Sequence, residues 1–333
     1  MKKKYLFLFY VFLININSQL LASTNDYKNV ISNLKKKIFG TTQNNEMQNV
    51  SMSNEGYNYK INSSNAEIYA IYNIKEFNED DNIIYKGIQG FTTDGEYFYV
   101  ALLNSNDKDY IKQETKILKI DIKTKKVVQQ KHIGRIGHSG SLTYNPLTKM
   151  IYCSPSSYSK PYVYSFDTDL NLKNTYYLKN ENNEVIKSIK RINTLAYDKT
   201  SNLYFTKVDK SNRDLFFFDS DFKFKQKINC SDEVLKANTL LQTINCDDKN
   251  AYVVSFVKGS VPLINYIRVF DLKTGKLINE KILSDELAPN NEIIEMEQLT
   301  FLNGECYGLA NIIRKNQFCI FKLTYINNLK KEE

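Results

Sequence analysis

A chain of 333 residues with 42% hydrophobic side chains is long enough to bury a substantial core, and its aromatic set of 24 Tyr, 19 Phe and no Trp suits half-buried pleated surfaces. The formal charge of +8 is carried by lysines scattered along the chain, many in turns such as residues 123–126, with no Arg-rich block. That is the pattern of a solvated surface and argues against a nucleic-acid partner, while two histidines and five unclustered cysteines argue against a zinc site.

The N-terminus reads Lys2-Lys3-Lys4, then an apolar run over residues 5–16, then small residues near Ala22. A basic start, an apolar run too short to span a bilayer and a small-residue exit predict a secretory signal peptide over residues 1–22, with an uncleaved membrane tether as the alternative. Its removal takes three lysines and lowers the charge to +5. No later segment is apolar enough to span, so the expectation is a secreted or extracytoplasmic monomer without a stable membrane span. Residues 23–55 are rich in Asn, Lys, Ser and Thr and are read as a flexible leader.

From Tyr57 the pattern turns to strand alternation, and from residue 87 it repeats. One sub-motif appears as GFTTDGEYFYV, GSLTYNPLTKMIYC, NTLAYDKTSNLYF, QTINCDDKNAYVV and EQLTFLNGECYGL, with strand tyrosines Tyr99, Tyr152, Tyr204, Tyr252 and Tyr307 at spacings of 53, 52, 48 and 55 residues. A second follows the first four copies: KILKIDIKTKKVV, YVYSFDTDLNLKN, LFFFDSDFKFKQK and YIRVFDLKTGKLI. Each of these is a strand, a turn opened by Asp121, Asp167, Asp219 or Asp271, and another strand, the Asp accepting the backbone hydrogen bond that starts the turn. Four strands per fifty residues, with no sustained helical period, predict an all-β fold: a β-propeller of four-stranded antiparallel blades spanning residues 56–328, followed by a charged tail at 329–333. Five blades are visible, and residues 57–77 either form a sixth or supply the outer strand that closes the ring.

Aligning the five copies compares the innermost strands with one another. One column holds Ile88, Ser139, Ile192, Leu241 and Met296; the next holds Gln89, Gly140, Asn193, Gln242 and Glu297; the third holds Gly90, Ser141, Thr194, Thr243 and Gln298. A polar column beside an apolar one should converge at the channel mouth, where Gln89, Asn193, Gln242 and Glu297 are candidate ligand-binding residues or partners for one another. His138 lies two residues before Gly140 and is the candidate to complete the ring. No catalytic residue is assigned, and no cofactor or metal is expected. The Gly134, Gly137, Gly140 spacing precedes no helix, Lys273-Thr274-Gly275 is a hairpin turn, and Asp167/Asp169 and Asp219/Asp221 lack the glycine and distal glutamate of a calcium loop. Of the cysteines, Cys153, Cys230, Cys246, Cys306 and Cys319, the last two fall on adjacent predicted strands and are placed to pair; otherwise the set reads as small buried apolar residues.

The run QGFTTDGEYFYVAL, followed by TKILKIDIKTKKVV and GHSGSLTYNPLTKMIYCSP, resembles secreted β-propeller proteins of low-GC bacteria, the helveticin-like proteins and surface propellers among them. The Gln89-Gly90 start is also similar to the plant and bacterial type of glutaminyl cyclase. The resemblance implies a secreted propeller. The function expected is non-catalytic binding of an extracellular glycan, peptide or cell-envelope component at the channel mouth; the alternative is a secreted propeller enzyme such as a glutaminyl cyclase acting on peptide N-termini.

Overall fold

The structure is a computed structural model that describes residues 48–50, 59–61 and 66–329, apart from residues 79–82, 105–112, 157–161, 190, 208–212, 261–262 and 284–292. Its strands in chain order are β1 (Gln48–Val50), β2 (Tyr59–Ile61) and β3 (Glu67–Asn73), then β4 (Gly87–Thr93), β5 (Tyr97–Leu103), β6 (Thr115–Asp121) and β7 (Val127–Gly134). Next come β8 (Ser141–Asn145), β9 (Met150–Ser154), β10 (Tyr162–Phe166), β11 (Leu172–Tyr177), β12 (Ala196–Asp198), β13 (Leu203–Thr206), β14 (Asp214–Phe218) and β15 (Phe224–Asn229). The last are β16 (Thr239–Cys246), β17 (Asn250–Val257), β18 (Asn265–Asp271), β19 (Leu277–Ile282), β20 (Ile294–Leu302), β21 (Glu305–Ile312) and β22 (Gln317–Lys322), and a short helix α1 (Thr324–Leu329) follows.

Strands β4 to β19 form four antiparallel sheets in sequence order, four strands each, and the fifth sheet has the order β20-β21-β22-β3. The first strands β4, β8, β12, β16 and β20 neighbour one another in a closed ring, so the molecule is a five-bladed β-propeller. Among the described residues there is no sixth blade: β3 supplies the outer strand of the fifth, pairing antiparallel with β22 from Gln317↔Asn73 to Lys322↔Glu67. Part of the segment read as a leader, Gln48–Val50, pairs with Tyr59–Ile61. The predicted signal peptide lies outside the described residues. No helix among the described residues is long and apolar enough to cross a membrane.

The core is divided among the blade interfaces. Phe91, Phe98 and Val100 of the first blade pack with Leu309, Phe318 and Ile320 of the fifth. Tyr99 and Ile117 meet Leu142 and Phe166 of the second. The series continues through Tyr152 with Tyr204, Phe205 with Val253, and Val254 with Met296. A blade sandwiched between two others is apolar on both faces, which is why β5 is buried along nearly its whole length. The fourth strands carry the solvent edge, and β7 alternates half-buried and exposed residues.

The repeat has a chemical cause. The Tyr99 hydroxyl donates to Asp94 Oδ2 at 2.7 Å and the Tyr252 hydroxyl to Asp247 Oδ2 at 2.7 Å, while each aspartate also accepts backbone N–H groups of its turn. One acidic residue thus fixes the hairpin and anchors the strand aromatic. In the other turn, Asp121 and Asp271 cap through Thr124 and Thr274. Asp167 and Asp219 cap their turns and pair with Lys173 and Lys225 at 2.8 and 2.9 Å, so the carboxylates that resemble a calcium loop are spent on local structure.

All five cysteines are buried and none is in a disulfide. Cys306 and Cys319 do lie on neighbouring strands but do not pair: Cys319 faces Ala310, whereas the Cys306 carbonyl accepts from Leu323 N–H. Four residues of ladder separate them, about 13 Å at about 3.3 Å per residue, beyond the Cα separation of about 7 Å that a disulfide bridges. Burial pushes the Cys153 thiol up to about 12 and Cys230 up to about 11.

Candidate functional site

The polar column sits where the inner strands begin, and backbone irregularity places it there. Ile88 faces Leu102 and Phe91 faces Val100, so Gln89 and Gly90 together oppose Ala101. Gln242 is the extra residue between the pairs Leu241↔Ser255 and Thr243↔Val254, and Glu297 the extra residue between Met296↔Ala310 and Gln298↔Leu309. The same β-bulge therefore recurs at the same repeat position in three blades. A bulge breaks the alternation of faces, which lets consecutive residues such as Glu297 and Gln298 both reach neighbouring inner strands.

Glu297 is 2% exposed and is held from two sides: Gln89 Nε2 donates to Oε2 at 2.7 Å, and Asn311 Nδ2 donates to Oε1. Gln242 Nε2 donates to Glu295 Oε1 at 2.8 Å. Burial, and then the nearby Glu295 charge, push the Glu297 carboxyl well above the usual range, against the pull of its two amide donors. Burial raises Glu295 as well. Three predicted residues, Gln89, Gln242 and Glu297, thus belong to one group of amides and carboxyls that Glu295 and Asn311 complete. Asn311, on the second strand β21, lay outside the columns compared; Glu295 carried the signal of an acidic residue two positions before Glu297.

Because the native state holds a Glu297 proton that the unfolded chain releases above its ordinary value near pH 4.3, the associated stability is complete below that pH and declines as pH rises toward the native value. Glu297→Gln removes this titration. The stability difference between variant and parent should move in the variant's favour from pH 4 to pH 8, measured by urea midpoints at fixed ionic strength; a difference independent of pH would contradict a protonated Glu297.

His138 and Asn193 belong to a second group, at the junction of the second and third blades. His138 Nδ1 meets Gln113 Oε1 at 2.5 Å, an oxygen that only accepts, so Nδ1 carries the proton and Nε2 the lone pair. Burial and the Arg191 guanidinium lower this imidazole to about 4, which leaves it uncharged at neutral pH. Arg191 donates to Ser156 Oγ at 3.2 Å. Gly140, the break in the polar ring, has a packing cause: a Cβ there would lie 2.3 Å from Ser156 Cβ and 2.6 Å from the Asn193 carbonyl oxygen. Gly140→Ala must push the third blade's backbone aside, and it should cost about 2 kcal/mol or more in urea unfolding. A loss below about 0.5 kcal/mol would mean that this junction yields freely.

The third column forms the floor. Gly90, Ser141, Thr194, Thr243 and Gln298 are all buried, whereas Gln89, Asn193 and Gln242 one position earlier are half-exposed. Gln298, from the fifth blade, crosses the axis: its Oε1 accepts from Phe91 N at 2.7 Å and Leu142 N at 3.1 Å, and its Nε2 donates to the Leu142 carbonyl at 2.6 Å. Gly90 leaves room for this crossing, since a Cβ there would stand 2.5 Å from Leu142 Cγ. Solvent therefore reaches the polar ring and stops at one amide.

No protein-family model matches the chain, and no curated protein matches it. Among solved structures it is similar to the tail fibre of Staphylococcus aureus phage P68, at 12% identity over 91% of this chain and 59% of that chain with a TM-score of 0.51. It is also similar to a glycosyl hydrolase from Bacteroides ovatus, at 7% identity over 72% of this chain and 85% of that chain with a TM-score of 0.48. A third is the Kuenenia stuttgartiensis hydrazine synthase, at 11% identity over 70% and 58% of the two chains with a TM-score of 0.37. The chain spans less than two thirds of the tail-fibre and hydrazine synthase chains. At such identities the likeness is one of fold, and the chain is similar to assorted β-propeller proteins.

Proposed function

We propose that the protein is a non-catalytic binding propeller, exported from the cytoplasm, which presents the mouth of its channel to an extracellular glycan, peptide or cell-envelope component. The observation that carries this reading is the exposure profile of the inner strands: the half-buried amides of Gln89, Asn193 and Gln242 and the half-buried carboxyl of Glu295 precede buried residues in their strands, and Gln298 closes the floor. Such a mouth offers donors and acceptors to a ligand and has no through-passage. The sequence resemblance to secreted propellers, the helveticin-like proteins included, supports export. A glycan and peptide array probed with the purified protein should give binders whose retention falls about tenfold, or about 1.4 kcal/mol, in Glu295→Gln and in His138→Ala, with the ligand recovered unchanged. Retention equal in parent and variants would move the binding surface elsewhere.

A second reading rests on the carboxyl pair Glu295 and Glu297. Their upward shifts supply a proton donor closer to neutral pH than an ordinary glutamate, as general acid catalysis requires, and the cyclase-like Gln89-Gly90 start fits a peptide N-terminus as substrate. Ammonia release from peptides with N-terminal glutamine, lost in Glu295→Gln, is the result this reading needs; no release from any such peptide removes it.

A further inference from the structure

The carboxyls of Glu295 and Glu297 stand on β20 with no cation bonded to them. Gln89 on β4 and Asn311 on β21 donate to Glu297, and Gln242 on β16 donates to Glu295. Among the described residues no lysine, arginine or histidine bonds to either carboxyl, and the charge that acts on Glu297 is that of Glu295. A buried carboxyl without a countercharge, next to a second carboxyl, keeps its proton to higher pH than an ordinary glutamate, which is the direction of both shifts. A change of pH therefore acts on Glu297 inside the folded protein.

The hydrogen bonds around Glu297 decide where its proton sits. Asn311 Oδ1 accepts the Ile88 N–H at 3.3 Å, and a backbone N–H only donates, so the Asn311 amide has one orientation and its Nδ2 faces Glu297 Oε1. The same Nδ2 donates to the Ile88 carbonyl at 3.4 Å. Oε1 is thus an acceptor in either charge state, and the acid proton belongs on Oε2, the oxygen that faces Gln89. Gln89 has no such anchor. Its side chain is half-buried and makes one hydrogen bond among the described residues, from Nε2 to Glu297 Oε2 at 2.7 Å. Its other end, Oε1, has no partner among the described residues and is not sealed from solvent. An amide turned end for end fills the same space, so Gln89 can offer Nε2 to a carboxylate and Oε1 to a carboxylic acid.

We propose that the proton on Glu297 sets which end of the Gln89 amide the channel mouth presents: the acceptor Oε1 while Glu297 is ionised, the donor Nε2 while it is protonated. This rests on the reading of the mouth as a binding site and adds how its specificity is set. With Glu297 ionised, position 89 meets a ligand group that donates, such as an ammonium or a peptide N–H. With Glu297 protonated, it meets one that accepts, such as a carbonyl. Gln242 stands in the same relation to Glu295 from the fourth blade.

The test is NMR of the full chain, labelled in its side-chain amides and carboxyl carbons, from pH 4 to pH 9. Exchange of the Gln89 amide protons with water is compared with that of exposed Gln130, which cancels the general rise of exchange with pH. As the Glu297 carbon ionises, protection of Gln89 relative to Gln130 should grow about tenfold or more, because its N–H becomes bonded to a carboxylate. Glu297→Gln keeps an oxygen for Asn311 and so presents its N–H to Gln89, as the acid presents its O–H; protection should stay at the low-pH level throughout. Glu295→Gln removes the repelling charge, so the Glu297 carbon and the Gln89 protection should move together to lower pH. Urea midpoints show that each variant is folded. A Glu297 carbon that does not titrate in this range, a Gln89 protection that does not follow it, or protection that persists in Glu297→Gln overturns the proposal. If the array ligands depend on Glu295 and His138 while the Gln89 amide never turns, the mouth remains a binding site and only the turning amide is wrong; if the amide turns and the array gives no binder, the proton control stands and the mouth is not the site.

Discussion

Gln298→Ala should lower the unfolding free energy by about 4 kcal/mol, a large part of the roughly 5–15 kcal/mol that holds a domain together. The side chain is 0% exposed, and its loss strands the N–H groups of Phe91 and Leu142 and the Leu142 carbonyl, all in a space from which water is excluded. Each unsatisfied buried group costs about 1–3 kcal/mol, and the cavity adds to that. Gln298→Glu separates the two halves of the effect, because it keeps an oxygen for the two N–H donors and can donate to the Leu142 carbonyl only while it is protonated. It should fall between parent and alanine variant at pH 4 and worsen toward pH 8, as a buried carboxyl is forced to ionise. Urea denaturation read by tyrosine fluorescence measures both. A loss below about 1 kcal/mol for Gln298→Ala would mean that water enters the channel and replaces the amide, and the closed floor would have to be given up.

The same residue shows where sequence reading stops. Gln298 stands in a column otherwise of Gly, Ser and Thr, small residues that let strands approach. Gly90 fits that account, since Leu142 occupies the space of its missing side chain. The exception in the column was the informative member, because a long amide among small residues has somewhere to go. The blades themselves were legible because their cause is local: Asp94 with Tyr99, and Asp247 with Tyr252, are bonded within a few residues and so appear as a repeat. Gln89, Gln242 and Glu297 share a column for a related reason, a bulge recurring at one position. Asn311 was missed because it reaches Glu297 from a different strand, across the hairpin, a relation that no column comparison contains. Gly140 was seen as a gap for His138 to fill, yet it is the point at which the second blade touches the third blade's backbone. The Cys306–Cys319 pairing failed on register, which adjacency of strands does not specify.

Register also decides how the ring closes, and here the second large effect is expected. The fifth blade obtains its outer strand from residues far away in sequence, so β3 holds the two ends of the repeat array together. Deleting residues 1–77 removes Ile68, Ile74 and Phe77, which are 4%, 1% and 7% exposed, and uncovers Phe318 and Ile320 beneath them. At about 2 kcal/mol for each large apolar side chain, the direct loss is about 6 kcal/mol before the unpaired edge of β22 is considered. That is comparable with the whole stability of a domain, so the truncated chain should show no cooperative thermal transition and should bind a hydrophobic dye. A synthetic peptide of residues 66–78 added in trans should restore the transition, because it returns the ladder from Glu67 to Asn73 and the side chains that cover the fifth blade. The same peptide with Ala70 replaced by Pro should not, since Ala70 is paired with Ile320 and is 2% exposed, leaving no room for a strand that loses its N–H. A truncated ring that melts within about 5 °C of the parent would show that the first four blades and β20–β22 close on their own, and β3 would then be an accessory edge.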